Sequence, residues 1–252
     1  WLWDQRPSWS GLPDDVAKRL VSYYANGGRA NFEGFFRTVA AQLSGKPDAS
    51  IAAPQVFPKA GIYHPKAPNL IFADPVAYLR WKGVDPARRP PTIAVLVHQQ
   101  YIVSEQTQAM DDLIARIEAA GAVPLTIYAG TTGAQVLTPV LTHQGKPLAD
   151  AIINTQIMLD AEGRRTEFAA LGLPVVQATP YRKGDEAAWA ADSGGIALMD
   201  VPFYVAQAEY AGVTDIQIAS ATRKGDDQIL PIATQAQALV NKAMALARLA
   251  RT

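Results

Sequence analysis

The chain has 252 residues, 49% hydrophobic and 18% charged, enough to bury one large globular domain or one domain with a helical extension. Its 23 Lys and Arg balance 23 Asp and Glu, which excludes the basic footprint of a nucleic-acid binder and the composition of an acidic disordered tail. Cysteine is absent, so disulfides, thiolate nucleophiles, Cys-ligated zinc and iron–sulfur clusters are excluded too, and no apolar run approaches the ~20 residues that span a bilayer.

The chain opens on Trp1 without a signal-peptide pattern, and reads as a processed chain, an excised domain or the ordered part of something longer. Residues 1–45 are predicted helical. Leu12-Pro-Asp-Asp is a helix start, and Val16, Leu20, Val21 and Tyr24 recur at helical spacing up to Asn26-Gly27-Gly28. A second helix from about Asn31 carries Phe32, Phe35, Phe36, Val39 and Leu43 and stops at Gly45-Lys-Pro47. The pair makes an αα-hairpin, and residues 46–62, rich in Pro and Ala, read as irregular. Residues 1–62 thus form a helical hairpin and linker, and residues 63–252 an α/β domain.

From Pro91 the pattern alternates. Ile93–Val97 is a strand and 105–120 a helix with Met110, Leu113, Ile114 and Ile117 on one face, closed by Gly121. Pro124–Tyr128 is a strand leading into Gly130-Thr-Thr-Gly133. A helix over 134–142 is interrupted by Pro139; then come strand Ala151–Asn154, helix 162–171 and strand Pro174–Ala178. The tail from Ala233 to Arg251 is a closing helix whose Ala-rich face packs on the sheet or on the hairpin. This βαβαβαβ order predicts a parallel, flavodoxin- or Rossmann-like sheet with helices on both faces. Ligands of such sheets bind at the carboxyl ends of the strands, so the loops to watch are 98–105, 129–134, 155–161 and 179–195.

Walker A, GxGxxG, GxSxG and HExxH signatures are all missing, and nucleotide binding is not supported. Gly130–Gly133 either cradles an anion on its backbone N–H groups or is a plain βα turn. Of the three histidines, His98 ends the first strand, where a neutral imidazole can ligate a metal or move a proton, or simply sit at a strand end; His64 and His143 read as structural. The loop after His98 is unusually polar. Ser104 can N-cap the next helix and Glu105 suits its positive end, leaving Gln99, Gln100, Tyr101, Gln106 and Thr107 as a hydrogen-bonding rim, with Tyr101 alternatively capping the sheet edge. Arg-Lys-Gly-Asp occurs at 182–185 and 223–226, each after an apolar, strand-like stretch. The copies are either solvated turns or cationic loops that meet carboxylates.

Several stretches together resemble the large, tetrapyrrole-binding subunit of the aerobic cobaltochelatase and magnesium chelatase family. They are Asn26-Gly-Gly…Asn31, Ala60-Gly-Ile-Tyr-His-Pro-Lys-Ala-Pro68 with Tyr78-Leu-Arg-Trp81, the first βα unit ending Ile117-Glu-Ala-Ala-Gly121, and Asp150-Ala-Ile-Ile-Asn154. Trp189-Ala-Ala-Asp-Ser193, Gly195 and Glu209-Tyr-Ala-Gly212 resemble its "W…S…G" run and "PELDG"-like turn. The resemblance implies a segment of a large polypeptide that holds a corrin or porphyrin while a divalent metal, Co2+ or Mg2+ with cobalt favoured, is inserted as substrate. ATP is then hydrolysed by separate AAA+ partner subunits, the rest of the large subunit completes the site, and the location is cytoplasmic.

The resemblance makes Glu209 a catalytic candidate, beside His98 from its strand-end position. Gln106, Thr107, Trp189 and Ser193 by the resemblance, with Gln99 and Tyr101 from the polar loop, are the substrate-binding ones, and the metal ligands stay unassigned. Two departures stand out. Tyr101 occupies the place of a family histidine, and family members are far longer, so this segment alone is not expected to insert metal. The alternatives are a diverged haem-handling, demetallating member, which would be periplasmic if it serves haem uptake, and a non-catalytic docking domain of chelatase fold.

Overall fold

The computed structural model describes residues 8–68, 70–129 and 136–251; the Gly130–Gly133 loop lies outside them. The chain divides into two compact units, one running through Phe57 and including Ile102–Glu105, the other holding Pro58–Tyr101 and Gln106 onward.

The first unit is built on α1 (Asp14–Asn26) and α2 (Arg29–Ser44), with Asp14 and Asp15 at the positive end of α1. The turn between them needs left-handed backbone at Gly27 (φ 64°) and Gly28 (φ 84°). The seam is not the apolar stripe that periodicity predicts. It buries Ala17, Tyr23, Asn31, Gly34 and Thr38, whereas Tyr24, Phe36 and Leu43 stay 64%, 66% and 85% exposed. The reason is a close approach: a Cβ on Gly34 would sit 2.5 Å from the Tyr23 ring, so only small side chains fit along that line. Asn31 then pins the following segment, donating to Gln55 O (2.8 Å) and accepting from Gln55 N–H (2.8 Å).

The rest of the chain forms, in order, β1 (Gly61–Tyr63), β2 (Ile71–Phe72), α3 (Pro75–Trp81), β3 (Thr92–Val97), α4 (Gln99–Val103), α5 (Gln108–Ala119), β4 (Val123–Tyr128), α6 (Thr138–Leu141), β5 (Thr142–His143) and β6 (Lys146–Pro147). Then follow β7 (Ala151–Asn154), α7 (Ala161–Leu171), β8 (Val175–Tyr181), α8 (Glu186–Ala191), α9 (Gln207–Tyr210), β9 (Asp215–Thr222), β10 (Ile229–Pro231) and α10 (Ala233–Leu249). The main sheet has eight strands in the order β10-β9-β8-β7-β3-β4-β1-β2. Its five central strands are parallel, and β1, β2 and β10 are antiparallel additions at the two edges. Counted along the chain, the parallel strands run second-first-third-fourth-fifth, the flavodoxin-like order.

Both sheet faces are covered, so β3 and β4 are buried at every position. Phe168 and Leu171 of α7, Ala208 of α9 and Ala211 just after it pack with Leu96, Leu125 and Ile152 on one face. Helices α5 and α10 lie together on the other, where α10 buries Ala236, Leu239, Val240, Ala243 and Ala247. The closing helix therefore packs on the sheet.

Several local expectations change. Gly61 and Ile62 belong to a strand, because the edge of β4 supplies a partner that composition does not reveal. The helix predicted over 105–120 begins only at Gln108, and the residues before it form the separate turn α4. Ser104 and Glu105 do not cap α5, whose N-cap position is Thr107. Glu105 is instead left-handed (φ 57°) and closes α4: its N–H donates to Ile102 O (3.2 Å) and Gln106 N–H to Tyr101 O (2.8 Å), a Schellman pattern. In the 134–142 segment the described part is the single turn α6, with Pro139 in its first turn, where a missing N–H costs nothing.

Candidate functional site

The order of the parallel strands singles out one place. β3 and β7 are neighbours, yet the helices that follow them go to opposite faces, which opens a crevice beyond their carboxyl ends. The residues leaving β7 are tied across this crevice to β3. The Thr155 N–H and hydroxyl both donate to Leu96 O (2.9 and 2.7 Å), and Gln156 Nε2 donates to Val97 O (2.8 Å).

Beneath the crevice lies a buried polar network. Asn154 Nδ2 donates to Gln177 Oε1 (2.7 Å), Gln177 Nε2 donates to Gln156 O (3.2 Å), and Arg164 Nη2 donates to Gln156 Oε1 (3.1 Å). Arg164 Nη1 also pairs with Glu167 Oε2 at 2.6 Å, and Glu167 Oε1 accepts the Leu137 N–H at 2.6 Å. The side chains of the ion pair are 4% and 0% exposed. Satisfied this way, the network holds the strand-end loops in a single geometry. None of these residues is among the sequence candidates. The available signals were amides inside apolar strands, at Asn154 and Gln177, and a charged pair three residues apart on a helix face that has to pack.

Two adjoining cavities open at the strand ends and share Tyr101, Pro180 and Ile229. The inner one, about 50 Å³, is mostly apolar and reaches down to Met110, Leu113 and Ala236. The outer one, about 400 Å³, adds Ile157, Arg182, Tyr204, Thr222 and Asp227. A larger hollow of about 710 Å³ lies at the amino edge, but its Asp150 carboxylate is already held by Arg89 (2.5 Å), Arg251 (3.2 Å) and the Thr92 N–H (2.8 Å). That set closes the sheet edge on itself, so the strand-end cleft is the candidate site.

Not all the sequence candidates meet there. Tyr101 and Gln106 line the cleft, and the Tyr101 ring stands edge-on to His98 at 5.9 Å. His98 is half-buried, and its Nε2 accepts the Ile157 N–H at 3.4 Å, so the imidazole also steadies the loop after β7. Gln99 is half-buried beside it, outside both cavities. The Thr107 hydroxyl donates to Asp111 (2.8 Å), which also accepts from the Tyr63 hydroxyl (2.9 Å), a structural tie between α5 and β1. Trp189 packs on a small cluster of Tyr181, Ala221 and Ile232. Ser193 is exposed in the turn after α8. Glu209 is exposed on α9, which rests on α7, and it lines neither cavity. His98 and Glu209 are not brought together, and among the described residues no three His, Asp or Glu side chains converge as a metal site would require.

Burial lowers the affinity of the His98 imidazole for a proton below its ordinary value, and the Arg164 charge adds to this. Burial likewise lowers His64, although Glu118 opposes it. Both rings are therefore neutral at pH 7. For a base whose folded pKa is depressed, the unfolded chain binds more protons once the pH falls below the unfolded value near 6.5. Stability from this source is constant above that value and declines as pH drops through it. Thermal melting from pH 7.5 to 5.5 is expected to show that decline, and His98→Gln to reduce it; an unchanged slope in the variant would mean that His98 does not resist protonation.

Comparison with known proteins follows the fold. The CobN/Magnesium Chelatase family model matches residues 21–252. A magnesium-chelatase subunit of Rhodobacter capsulatus is 26% identical over 203 residues, which cover 77% of this chain and 17% of that protein. Aerobic cobaltochelatase subunit CobN of Pseudomonas aeruginosa is 25% identical over 204 residues, covering 80% of this chain and 16% of its own length. Among solved structures, the catalytic subunit of cobaltochelatase from Mycobacterium tuberculosis shares the fold with a TM-score of 0.73 at 22% identity, over 96% of this chain and 20% of that one. The chain spans between 16% and 20% of the length of these relatives. No helix among the described residues is long and apolar enough to cross a membrane.

Proposed function

The chain belongs to the CobN/magnesium chelatase family, and from that premise we propose that it supplies one wall of the tetrapyrrole site in a chelatase large subunit. The metal, cobalt by preference, is a substrate of the whole subunit, inserted at the cost of ATP hydrolysed by AAA+ partners in the cytoplasm. The observation that carries this reading is the strand-end cleft. It is amphipathic, with apolar walls at Ile157, Pro180 and Ile229, two phenols at Tyr101 and Tyr204, and one cation at Arg182. A flat, carboxylate-bearing ring asks for that combination: an apolar surface to lie on and polar groups at the rim. At about 400 Å³ the cleft is at the small end of ligand pockets, in keeping with a wall that the rest of a longer subunit completes.

In this reading the chain's own residues bind and orient. Tyr101, half-buried, keeps its proton because burial raises its pKa, although Arg182 opposes the shift. Without a metal it is therefore a hydrogen-bond donor at neutral pH. Neutral His98 stands beside the Tyr101 ring but lines neither cavity, so it would accept a pyrrole proton only from a ring that displaces the Ile157 N–H from its Nε2. Glu209, exposed on α9, would act only on a ring that extends past the cleft.

Absorbance titration of the chain with hydrogenobyrinate diamide, protoporphyrin and haem tests this. A saturable band shift with a metal-free ring is expected, weakened about tenfold by Tyr101→Ala, which removes one aromatic contact and one donor. A shift with haem alone would favour the demetallating member, and no shift with any of the three would leave a docking domain.

A further inference from the structure

Topology brings the two Arg-Lys-Gly-Asp copies together. β8 and β9 are parallel neighbours with Tyr181 opposite Ala221, so the two copies leave the sheet side by side at the carboxyl edge. The Thr222 N–H donates to Gly184 O at 3.0 Å, and a Cβ on Gly184 would lie 3.5 Å from Lys224 Cε. Most of their charge is cancelled locally. Lys183 pairs with Asp192, Arg223 with Asp226, and Asp185 accepts the Ala188 N–H at the start of α8. The copies are therefore not two equivalent cationic loops, and only Arg182 lines the cleft.

Arg182 is also paired, but through one nitrogen only. Its Nη1 contacts Asp200 Oδ1 at 3.0 Å, its side chain is 58% exposed, and the remaining guanidinium donors make no other hydrogen bond among the described residues. Asp200 is anchored in turn, its side chain 12% exposed and its N–H donating to Ala197 O at 2.8 Å. The Tyr101 and Tyr204 rings line the same cavity, and burial pushes the Tyr204 phenol up to about 12, so both O–H groups are donors at neutral pH.

We infer that Arg182 is a carboxylate anchor of the cleft, gripping one acidic side chain of the bound macrocycle with its free guanidinium edge while Asp200 fixes the fork and the Tyr101 and Tyr204 hydroxyls complete the donor set. The inference rests on the tetrapyrrole reading and adds the chemical group that is recognised. A planar fork suits a carboxylate because two parallel N–H donors meet its two oxygens. Asp227 lines the same cavity and repels a second carboxylate, so the cleft admits one acidic edge of the ring.

Protoporphyrin and its dimethyl ester, the same ring without the two charges, separate this from simple ring binding. In fluorescence titrations in one detergent, the chain should bind the free acid about tenfold more tightly than the ester, a difference typical of one charge-assisted contact. Arg182→Gln should erase that preference without weakening the ester. Asp227→Asn, tolerated in its left-handed backbone (φ 52°), should widen it, an effect that structural damage cannot produce. Equal wild-type affinities for acid and ester, a preference that survives Arg182→Gln, or no effect of Asp227→Asn would each overturn the anchor while leaving the ring-binding reading in place. Binding of neither ring would overturn that reading itself.

Discussion

Glu167→Ala is expected to destabilise the second unit by about 3–5 kcal/mol, because it breaks a buried ion pair and leaves one partner charged. Glu167 is 1% exposed, and its two oxygens hold the Arg164 guanidinium (2.6 Å) and the Leu137 N–H (2.6 Å). Truncation strands the Leu137 N–H in a buried site, and Arg164 loses the Glu167 carboxylate while still held by Gln156. The loss should show as a lower denaturation midpoint in urea with the slope retained. The double variant Arg164→Met/Glu167→Leu should recover most of it, since apolar replacement of a buried pair is often neutral. The double variant should nevertheless weaken ring binding, because Gln156 then loses the donor that fixes it under the crevice. Recovery of both properties would show the network to be dispensable to the site.

Tyr78→Ala should cost about 3–5 kcal/mol, the usual range for removing a large buried aromatic ring. Tyr78 is fully buried, its hydroxyl donates to Pro124 O at 2.5 Å, and its ring packs against Phe72 (5.7 Å), Trp81 (5.8 Å) and His64 (6.1 Å). The Lys66 N–H donates to His64 Nδ1 (3.1 Å), so Nε2 carries the proton that reaches Glu118 (3.1 Å), and Lys82 pairs with the same carboxylate. Tyr78→Phe keeps the packing and loses only the hydroxyl, so a cost of about 1–2 kcal/mol is expected there. A loss in Tyr78→Ala no larger than in Tyr78→Phe would mean that the aromatic cluster does not hold β1 and α3 together.

That cluster also explains why the chain was recognisable. The Gly61-Ile-Tyr-His-Pro65 and Tyr78-Leu-Arg-Trp81 stretches resemble the family through residues that build a sheet edge, not through residues that line the cleft. His64 and Trp81 meet edge to face at 5.0 Å, and Gly61 must be glycine because a Cβ there would sit 2.8 Å from the Tyr128 hydroxyl. Residues packed this closely tolerate few substitutions. They identify a fold more readily than a reaction.

The site was less legible. Tyr101 and Gln106 stood out because polar residues follow a core strand, and both line the cleft. Thr107 stood out for the same reason, yet its hydroxyl bonds Asp111 on its own helix, a use that a one-dimensional pattern cannot separate from ligand binding. Arg182 and Tyr204 are far from Tyr101 along the chain, and only the parallel pairing of β8 with its neighbours and the path of the chain from β8 to the turn before α9 bring them into the same cavity.

From its own order of residues the chain determined the alternation of strands and helices, the parallel sheet and the closing helix, since hydrophobic periodicity and Gly, Pro and acidic punctuation are local signals that act within a few turns. Tertiary structure alone decided which face of the hairpin is buried, that Gly61–Tyr63 pairs with β4, that Glu105 ends one helix instead of starting another, and that Glu209 lies away from the cleft. Apart from Glu105, whose cap is local, each of these depends on a partner in another element, such as a ring against Gly34, a free strand edge or a neighbouring helix, and no local propensity encodes a contact whose other half lies elsewhere in the chain.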